Sequence, residues 1–203
     1  MRKFLAAAIL LFFALSVHAQ TGLLDPAFGN GGVVKTITGP EANTSYELVN
    51  KIFTQKDGKL LVVVKLDNGV FLTRRFSDGS LDTTYGNKGV SDLLKLGNPC
   101  IAAMKDDESV VLAASSRFFY SGTQSDFRLM RINKHGALDS TFGVNGLVAT
   151  DFGYESDMPA SITLQPDSKI IVAGSSSHNT NTDAVFALAR YYADGTLDNT
   201  FGI

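Results

Sequence analysis

One eight-residue phrase occurs four times in the chain and constrains its fold more than any other feature of the sequence. The copies begin at Gly22, Gly79, Gly136 and Gly195, so they are spaced 57, 57 and 59 residues apart. Self-similarity at a nearly fixed period of this length is the sequence signature of a repeat architecture. Each period is then one small structural unit that buries its apolar faces against neighbouring units.

Each copy of the phrase contains a leucine, an aspartate and an aromatic residue, and it closes on a glycine. We interpret the leucines and aromatic residues as packing anchors between units: Leu24, Leu81, Leu138, Leu197, Phe28, Tyr85, Phe142 and Phe201. The aspartates lie in turn-rich surroundings, where a carboxylate accepts backbone N–H groups and fixes a turn. They are Asp25, Asp82, Asp139 and Asp198.

An arginine ends the strand-like segment before each later copy of the phrase. We expect Arg75, Arg131 and Arg190 to pair with the phrase aspartates. A catalytic residue usually occurs once in a chain, whereas this combination recurs in every unit. The pattern therefore predicts a structural role for the arginine–aspartate pairs.

Four β-prone segments follow one another within each period, separated by polar turns. The third segment is apolar at consecutive positions, which predicts a strand buried on both faces. The turns before the third segment are short and polar, such as Lys56-Asp57-Gly58, and Asp-Gly is a signature of antiparallel hairpins. The third segments are Leu60–Val64, Val110–Ala114 and Ile170–Ala173, and the fourth are Val70–Phe76, Asp126–Ile132 and Ala184–Tyr191.

The sequence therefore predicts an all-β chain of tandem four-stranded antiparallel blades, a partial β-propeller of about three blades. The units are approximately residues 22–78, 79–135 and 136–194, and residues 195–203 begin a further unit. A β-solenoid is the alternative architecture, but four strands per unit favour the propeller.

The N-terminal residues have the pattern of a cleaved leader. Arg2 and Lys3 precede an apolar run from Phe4 to Leu15, and Val17-His18-Ala19 resembles a cleavage site. The run is shorter than the ~20 residues that a membrane-spanning helix needs. We therefore predict a signal peptide over residues 1–19, a repeat domain over residues 20–203 and no membrane span. The protein is expected in the periplasm, at the cell surface or outside the cell.

Composition excludes some classes of function. The formal net charge is −2 and basic residues are not clustered, so no nucleic acid is expected as a partner. The single cysteine, Cys100, cannot form an internal disulfide and is predicted to be a core thiol.

The phrase and the segments around it resemble a known family. Gln165–Gly174, Phe186–Asp198 and the Leu-Asp-x-x-Phe-Gly phrase are similar to the delta-60 repeat of exported bacterial proteins. The resemblance covers nearly all of residues 22–203. It implies a β-propeller-like tandem repeat; no general biochemical activity is assigned to this family, and it supplies no catalytic residues to carry over. The middle unit departs from the pattern, because Asp106-Asp-Glu108-Ser109 replaces the Asp-Gly-Lys turn.

Few residues indicate chemistry outside the repeat pattern. His135 lies in a turn and His178 in a polar loop that ends at Asp183, where oxygen ligands give a weak indication of Ca²⁺. The loop of the second unit carries arginine and aromatic residues, which are enriched at interfaces. We regard it as a candidate binding loop for a protein or glycan, formed by Arg117, Phe118, Phe119 and Tyr120.

Function is expected to be that of a non-catalytic binding or scaffold module with an unknown ligand. The alternatives are a propeller-fold enzyme of hydrolase or lyase type, with its active site at the central channel, and a structural spacer in a larger surface protein. Glu155, Asp157 and Asp183 are acidic candidates for such a site, without a recognisable arrangement. Three blades do not close a ring. The sequence favours a piece of a longer protein, with head-to-tail self-association and N-terminal strand closure left open.

Overall fold

The computed structural model describes residues 22–35, 48–66, 69–97, 100–116, 125–178 and 183–202. The predicted signal peptide, the candidate loop 117–120 and residues 36–38 of the first β-prone segment, which covers residues 33–38, lie outside these ranges. Among the described residues, none forms a helix with the length and apolar character needed to cross a membrane.

In the part of the chain that the structure describes, ten strands form three antiparallel sheets, so the protein is an all-β partial propeller as predicted. The first sheet contains β1 (Leu48–Thr54), β2 (Leu60–Leu66) and β3 (Gly69–Arg75). The second contains β4 (Cys100–Met104), β5 (Val110–Ser115), β6 (Phe127–Ile132) and β7 (Leu147–Thr150). The third contains β8 (Ser156–Leu164), β9 (Ile170–Ser177) and β10 (Val185–Tyr191).

The first two sheets combine segments from two sequence periods. β7 follows the third copy of the phrase, yet it pairs with β6 of the preceding period, from Phe127 opposite Thr150 to Met130 opposite Leu147. The first sheet shows the same offset, because Val90 and Leu94 form bridges with Thr73 and Val70 of β3. The expectation that the four strands of one period form one sheet is therefore wrong, because the first strand of a period pairs with the last strand of the preceding period. The shared strand fastens each unit to the next.

The central strands β2 and β5 are buried on both faces, as their consecutive apolar residues predict, whereas Ile171 and Ala173 on one face of β9 are half-buried. Every residue of β5 is buried. Val110, Leu112 and Ala114 contribute to the core shared with the first sheet. Val111 and Ala113 lie in the core shared with the third sheet. The three sheets therefore stack face to face, and the interfaces between them form most of the hydrophobic core.

Candidate functional site

The three arginine–aspartate pairs of the repeat have the same local geometry. An arginine Nε donates to the aspartate Oδ2 at 2.8 Å in each unit, joining Arg74 to Asp82, Arg131 to Asp139 and Arg190 to Asp198. The threonine two residues after each aspartate donates its hydroxyl to Oδ1 at 2.6 Å. Each guanidinium also lies 4.5–4.8 Å from the centroid of the phrase aromatic ring, a cation–π distance.

The first of these arginines is not the residue expected from the sequence. Arg75 was predicted to pair with a phrase aspartate, but Arg74 makes that ion pair. The side chains of adjacent strand residues point to opposite faces of a sheet, so only one of the two can reach Asp82. Arg75 lies on the other face, and its Nη1 donates to the carbonyl oxygen of Gly79 at 3.0 Å. The separation of eight residues shared by all three pairs is the sequence signal that identifies Arg74.

These contacts keep the phrase carboxylates ionised. Burial alone raises the pKa of Asp82, but hydrogen bonds from Thr84 and the nearby Arg74 guanidinium outweigh burial and hold the pKa at about 2. The hydroxyl of Thr141 is the main cause of the lowered pKa of Asp139. An ionised carboxylate that accepts this many hydrogen bonds serves as a structural acceptor.

A lysine from the turn before the central strand reaches the phrase aspartate in two of the three units. The Nζ atoms of Lys59 and Lys169 lie 3.4 Å from Oδ2 of Asp82 and Asp198, respectively. The middle unit has Ser109 in place of this lysine, and its Oγ donates to Asp107 instead. The departure of the middle unit from the repeat pattern therefore removes one cation from the surroundings of Asp139.

The phrase also connects each unit to the next. The closing glycine N–H donates to the carbonyl just before the following copy, at 2.7 Å from Gly29 to Asp78 and at 2.8 Å from Gly86 to His135 and from Gly143 to Asp194. Successive copies of the phrase thus form a continuous hydrogen-bonded row across the sheets.

The aromatic anchors of the two middle copies, which have a unit on both sides, are buried, and the leucines are less buried. Tyr85 and Phe142 are 1% and 0% exposed, whereas Phe28 and Phe201 are half-buried. Leu81 and Leu138 are half-buried, but Leu24 and Leu197 are exposed. The side-chain carboxylate of Asp25 in the first copy accepts only the N–H of Ala27 among the described residues.

Three carboxylates lie together where the second and third sheets are joined. One oxygen of each of Asp126, Asp151 and Asp157 lies within 4.8 Å of the others. The bridge between Ser125 and Ser156 brings them together. Asp157 is fully buried and accepts hydrogen bonds from the hydroxyl of Ser176 and from the N–H of Phe152, the latter at 2.9 Å.

Among the described residues, this acidic trio offers the carboxylate oxygen ligands that a hard cation such as Ca²⁺ takes. Burial, together with the neighbouring Asp151 and Asp157 carboxylates, raises the pKa of Asp126. Asp157 was one of the sequence candidates, whereas Asp126 and Asp151 were missed. The pairing of β6 with β7, which places Phe127 opposite Thr150, brings these two residues together.

The other sequence candidates do not form a cluster with the trio. Glu155 and Asp183 are exposed. His135 is an exposed turn residue whose carbonyl accepts the bond from Gly86. The His178 ring lies 4.1 Å, edge to face, from that of Tyr154. Residues 179–182 of the loop considered for Ca²⁺ lie outside the described residues.

Cys100 is 3% exposed and belongs to the core between the first two sheets. Burial raises the pKa of its thiol to about 12, so the thiolate is not available for nucleophilic chemistry at neutral pH.

An apolar cleft lies on the face of the first sheet that points away from the second sheet. Its volume is about 430 Å³, and its lining includes Val62, Val64, Thr73 and Arg75. Sequence analysis did not identify this cleft, because its lining residues come from three strands and from the segment around Phe28.

Comparison with known proteins agrees with the repeat fold. Residues 107–142 and 165–201 each match the family model described as a domain of unknown function (DUF5122) beta-propeller. Both matched segments begin near the turn before a central strand and end in the phrase. No curated protein matches the chain. The chain is thus similar to a β-propeller-like repeat family.

Proposed function

We propose that the protein is an exported β-propeller-like repeat module that acts as a non-catalytic binding or scaffold element at the cell surface or outside the cell. The single observation that supports this proposal is the row of hydrogen-bonded phrase copies that runs across the sheets. The repeated aspartates and arginines, which dominate the polar pattern of the sequence, are used in contacts within and between units. A rigid stack of this kind presents its variable faces and loops to partners.

A glycan array and a peptide array probed with the labelled protein test the binding role, and mass spectrometry of the bound molecules tests for their conversion. Binding without conversion supports the proposal. Conversion of a bound molecule would instead establish the enzyme alternative. A folded protein that binds nothing on either array would favour a spacer.

The acidic trio is the specific observation that favours the enzyme alternative. Closely spaced carboxylates, one of them with a raised pKa, are a common feature of hydrolase and lyase sites. Asp126→Asn separates the two functions. It would abolish turnover if the trio were catalytic, and it leaves array binding unchanged if the protein is a binding module.

Export is tested by expressing the full chain with a C-terminal epitope tag and fractionating the cells. We expect a processed protein outside the cytoplasm whose first residue is Gln20. An unprocessed cytoplasmic product would contradict the export part of the proposal.

A further inference from the structure

The cleft on the first sheet combines an apolar wall with cationic side chains. Aliphatic and aromatic side chains form the wall: Phe28, Val49, Ile52, Leu60, Val62 and Val64. Lys35 and Arg75 also line the cleft, and no acidic residue is among the described residues that line it. Its volume of about 430 Å³ lies within the range of small-molecule sites.

Two polar atoms of the lining residues have no hydrogen-bond partner among the described residues. They are Oγ1 of Thr73, a residue that is 2% exposed, and Nη2 of Arg75, a residue that is 8% exposed. A buried guanidinium without a counter-charge is costly, and burial lowers the pKa of Arg75 accordingly. An anion in the cleft would satisfy Arg75 Nη2 and give Thr73 Oγ1 an acceptor.

The other units show that the repeat itself does not require these two polar residues. The equivalents of Thr73 and Arg75 are Met130 and Ile132 in the second unit and Ala189 and Tyr191 in the third. In both of those units the face is packed against the preceding sheet as part of an apolar core. Among the three equivalent faces, the threonine and arginine therefore occur on the face of the first sheet, which carries the cleft.

We propose that this cleft binds an aliphatic carboxylate, with the carbon chain along Val49, Ile52 and Val62 and the carboxylate at Arg75 and Thr73. The carboxylate accepts hydrogen bonds from Arg75 Nη2 and from Thr73 Oγ1. This assignment rests on the proposed function of the protein as a binding module and names its ligand class.

A second copy of the chain fits the cleft less well than a carboxylate does. Arg131 Nη1 of the second unit donates to the carbonyl oxygen of Ala193 in the third unit at 2.7 Å. By the same stacking, Arg190 of a docked copy would approach Ser77, two residues from Arg75. The phrase carboxylate on that face, Asp198, is already bound to Arg190, Lys169 and Thr200. Docking would thus add a cation near Arg75, and the phrase carboxylate Asp198 would not be free to neutralise it.

Decanoate, below its micelle-forming concentration, is the probe for this site. Calorimetry and amide chemical-shift titration of the purified protein should show saturable 1:1 binding, with shifts at Val62 and Val64. Decan-1-ol, which has the same chain length without the charge, should bind about 10- to 100-fold more weakly, as expected for loss of a charge-assisted hydrogen bond.

Two cleft variants and one surface control complete the test. Arg75→Met should weaken decanoate binding by about 10- to 100-fold. Thr73→Val should weaken it several-fold, and Lys95→Met, which changes an exposed lysine outside the cleft lining, should leave it unchanged. If Arg75→Met did not fold, Thr73→Val and the comparison with decan-1-ol would still decide the question.

Equal affinity for decanoate and decan-1-ol, or unchanged binding by a folded Arg75→Met protein, would overturn the proposal. A well-folded protein whose spectrum does not respond to decanoate would also overturn it. That result would leave the broader binding role intact, because the glycan and peptide arrays test that role independently. A concentration-dependent dimer that protects the Val62 amide in the absence of decanoate would replace the carboxylate with a second copy.

Discussion

The amide of Gly143 donates a 2.8 Å hydrogen bond to the carbonyl of Asp194, 51 residues further along the chain. This bond joins the third and fourth copies of the phrase, and equivalent bonds join the earlier copies. The repeated phrase is therefore a connector between units. Its conformation and its ion pairs determine how rigidly the sheets are stacked.

Replacing Gly136 with alanine should disrupt this connection. Gly136 has φ +91°, and an added Cβ would lie 2.9 Å from the Cα and N atoms of Gly86 in the preceding copy. We expect Gly136→Ala to lower the free energy of unfolding by about 3 kcal/mol or more, from backbone strain and the clash together. Urea denaturation measures this loss.

Gly58 provides the matched control, since it has φ +82° and no atom within 4 Å of an added Cβ. Gly58→Ala should cost only the strain, about 1 kcal/mol. Equal losses for Gly136→Ala and Gly58→Ala would show that the contact between phrases contributes nothing.

Removing Arg131 should destabilise the protein more than removing Arg190. Arg131→Met leaves Asp139 without its cation and removes the bond to Ala193, so we expect a loss of about 2 kcal/mol in the free energy of unfolding. Arg190→Met leaves Lys169 at 3.4 Å from Asp198, and its loss should be smaller. Chemical denaturation of both variants gives the order, and a reversed order would contradict this account.

Acid should destabilise the protein through Asp82. Its pKa is held at about 2 in the folded state, below the value of about 3.9 of an unfolded aspartate. The unfolded state therefore binds the proton more tightly, and stability falls as the pH drops from about 4 towards 2. In Asp82→Asn, the urea midpoint should depend less steeply on pH over this range. Asp183→Asn, at an exposed position, is the control, and parallel curves for wild type and Asp82→Asn would refute the assignment.

Asp126 should behave in the opposite way. Burial and the carboxylates of Asp151 and Asp157 raise its pKa, so its ionised form destabilises the folded protein at neutral pH. Asp126→Asn should raise the melting temperature at pH 7, and the gain should disappear below about pH 3.9, where the unfolded aspartate is also protonated. A lower melting temperature at pH 7 would contradict the prediction.

Cys100 should react with thiol reagents only after unfolding. Burial in the core between the first two sheets both blocks access and raises the pKa of the thiol to about 12. A chromogenic disulfide reagent at pH 8 should leave the native protein unlabelled and label it rapidly in concentrated guanidinium chloride. Fast labelling of the native protein would show that this core opens readily.

The order of the β-prone segments along the chain, the buried central strands β2 and β5 and the antiparallel turns could be predicted, because period and hydrophobic pattern are local properties of the sequence. The partner of Asp82 was predicted wrongly, since Arg74 and Arg75 are adjacent and only strand register decides which of them faces the phrase. The acidic trio and the cleft could not be predicted, because their residues come from different sheets or distant segments.

By itself, the sequence determined that this chain is a tandem repeat of small antiparallel sheets, because a repeated pattern of apolar residues and turns allows few other ways to bury its faces. Only the tertiary structure decided which strand completes which sheet. The pairing of β7 with β6 lies across a period boundary, and the repeat pattern alone does not define such boundaries. The tertiary structure also decided that one face of the first sheet holds a buried arginine whose Nη2 has no hydrogen-bond partner among the described residues, because such pairing depends on contacts between segments far apart in the chain.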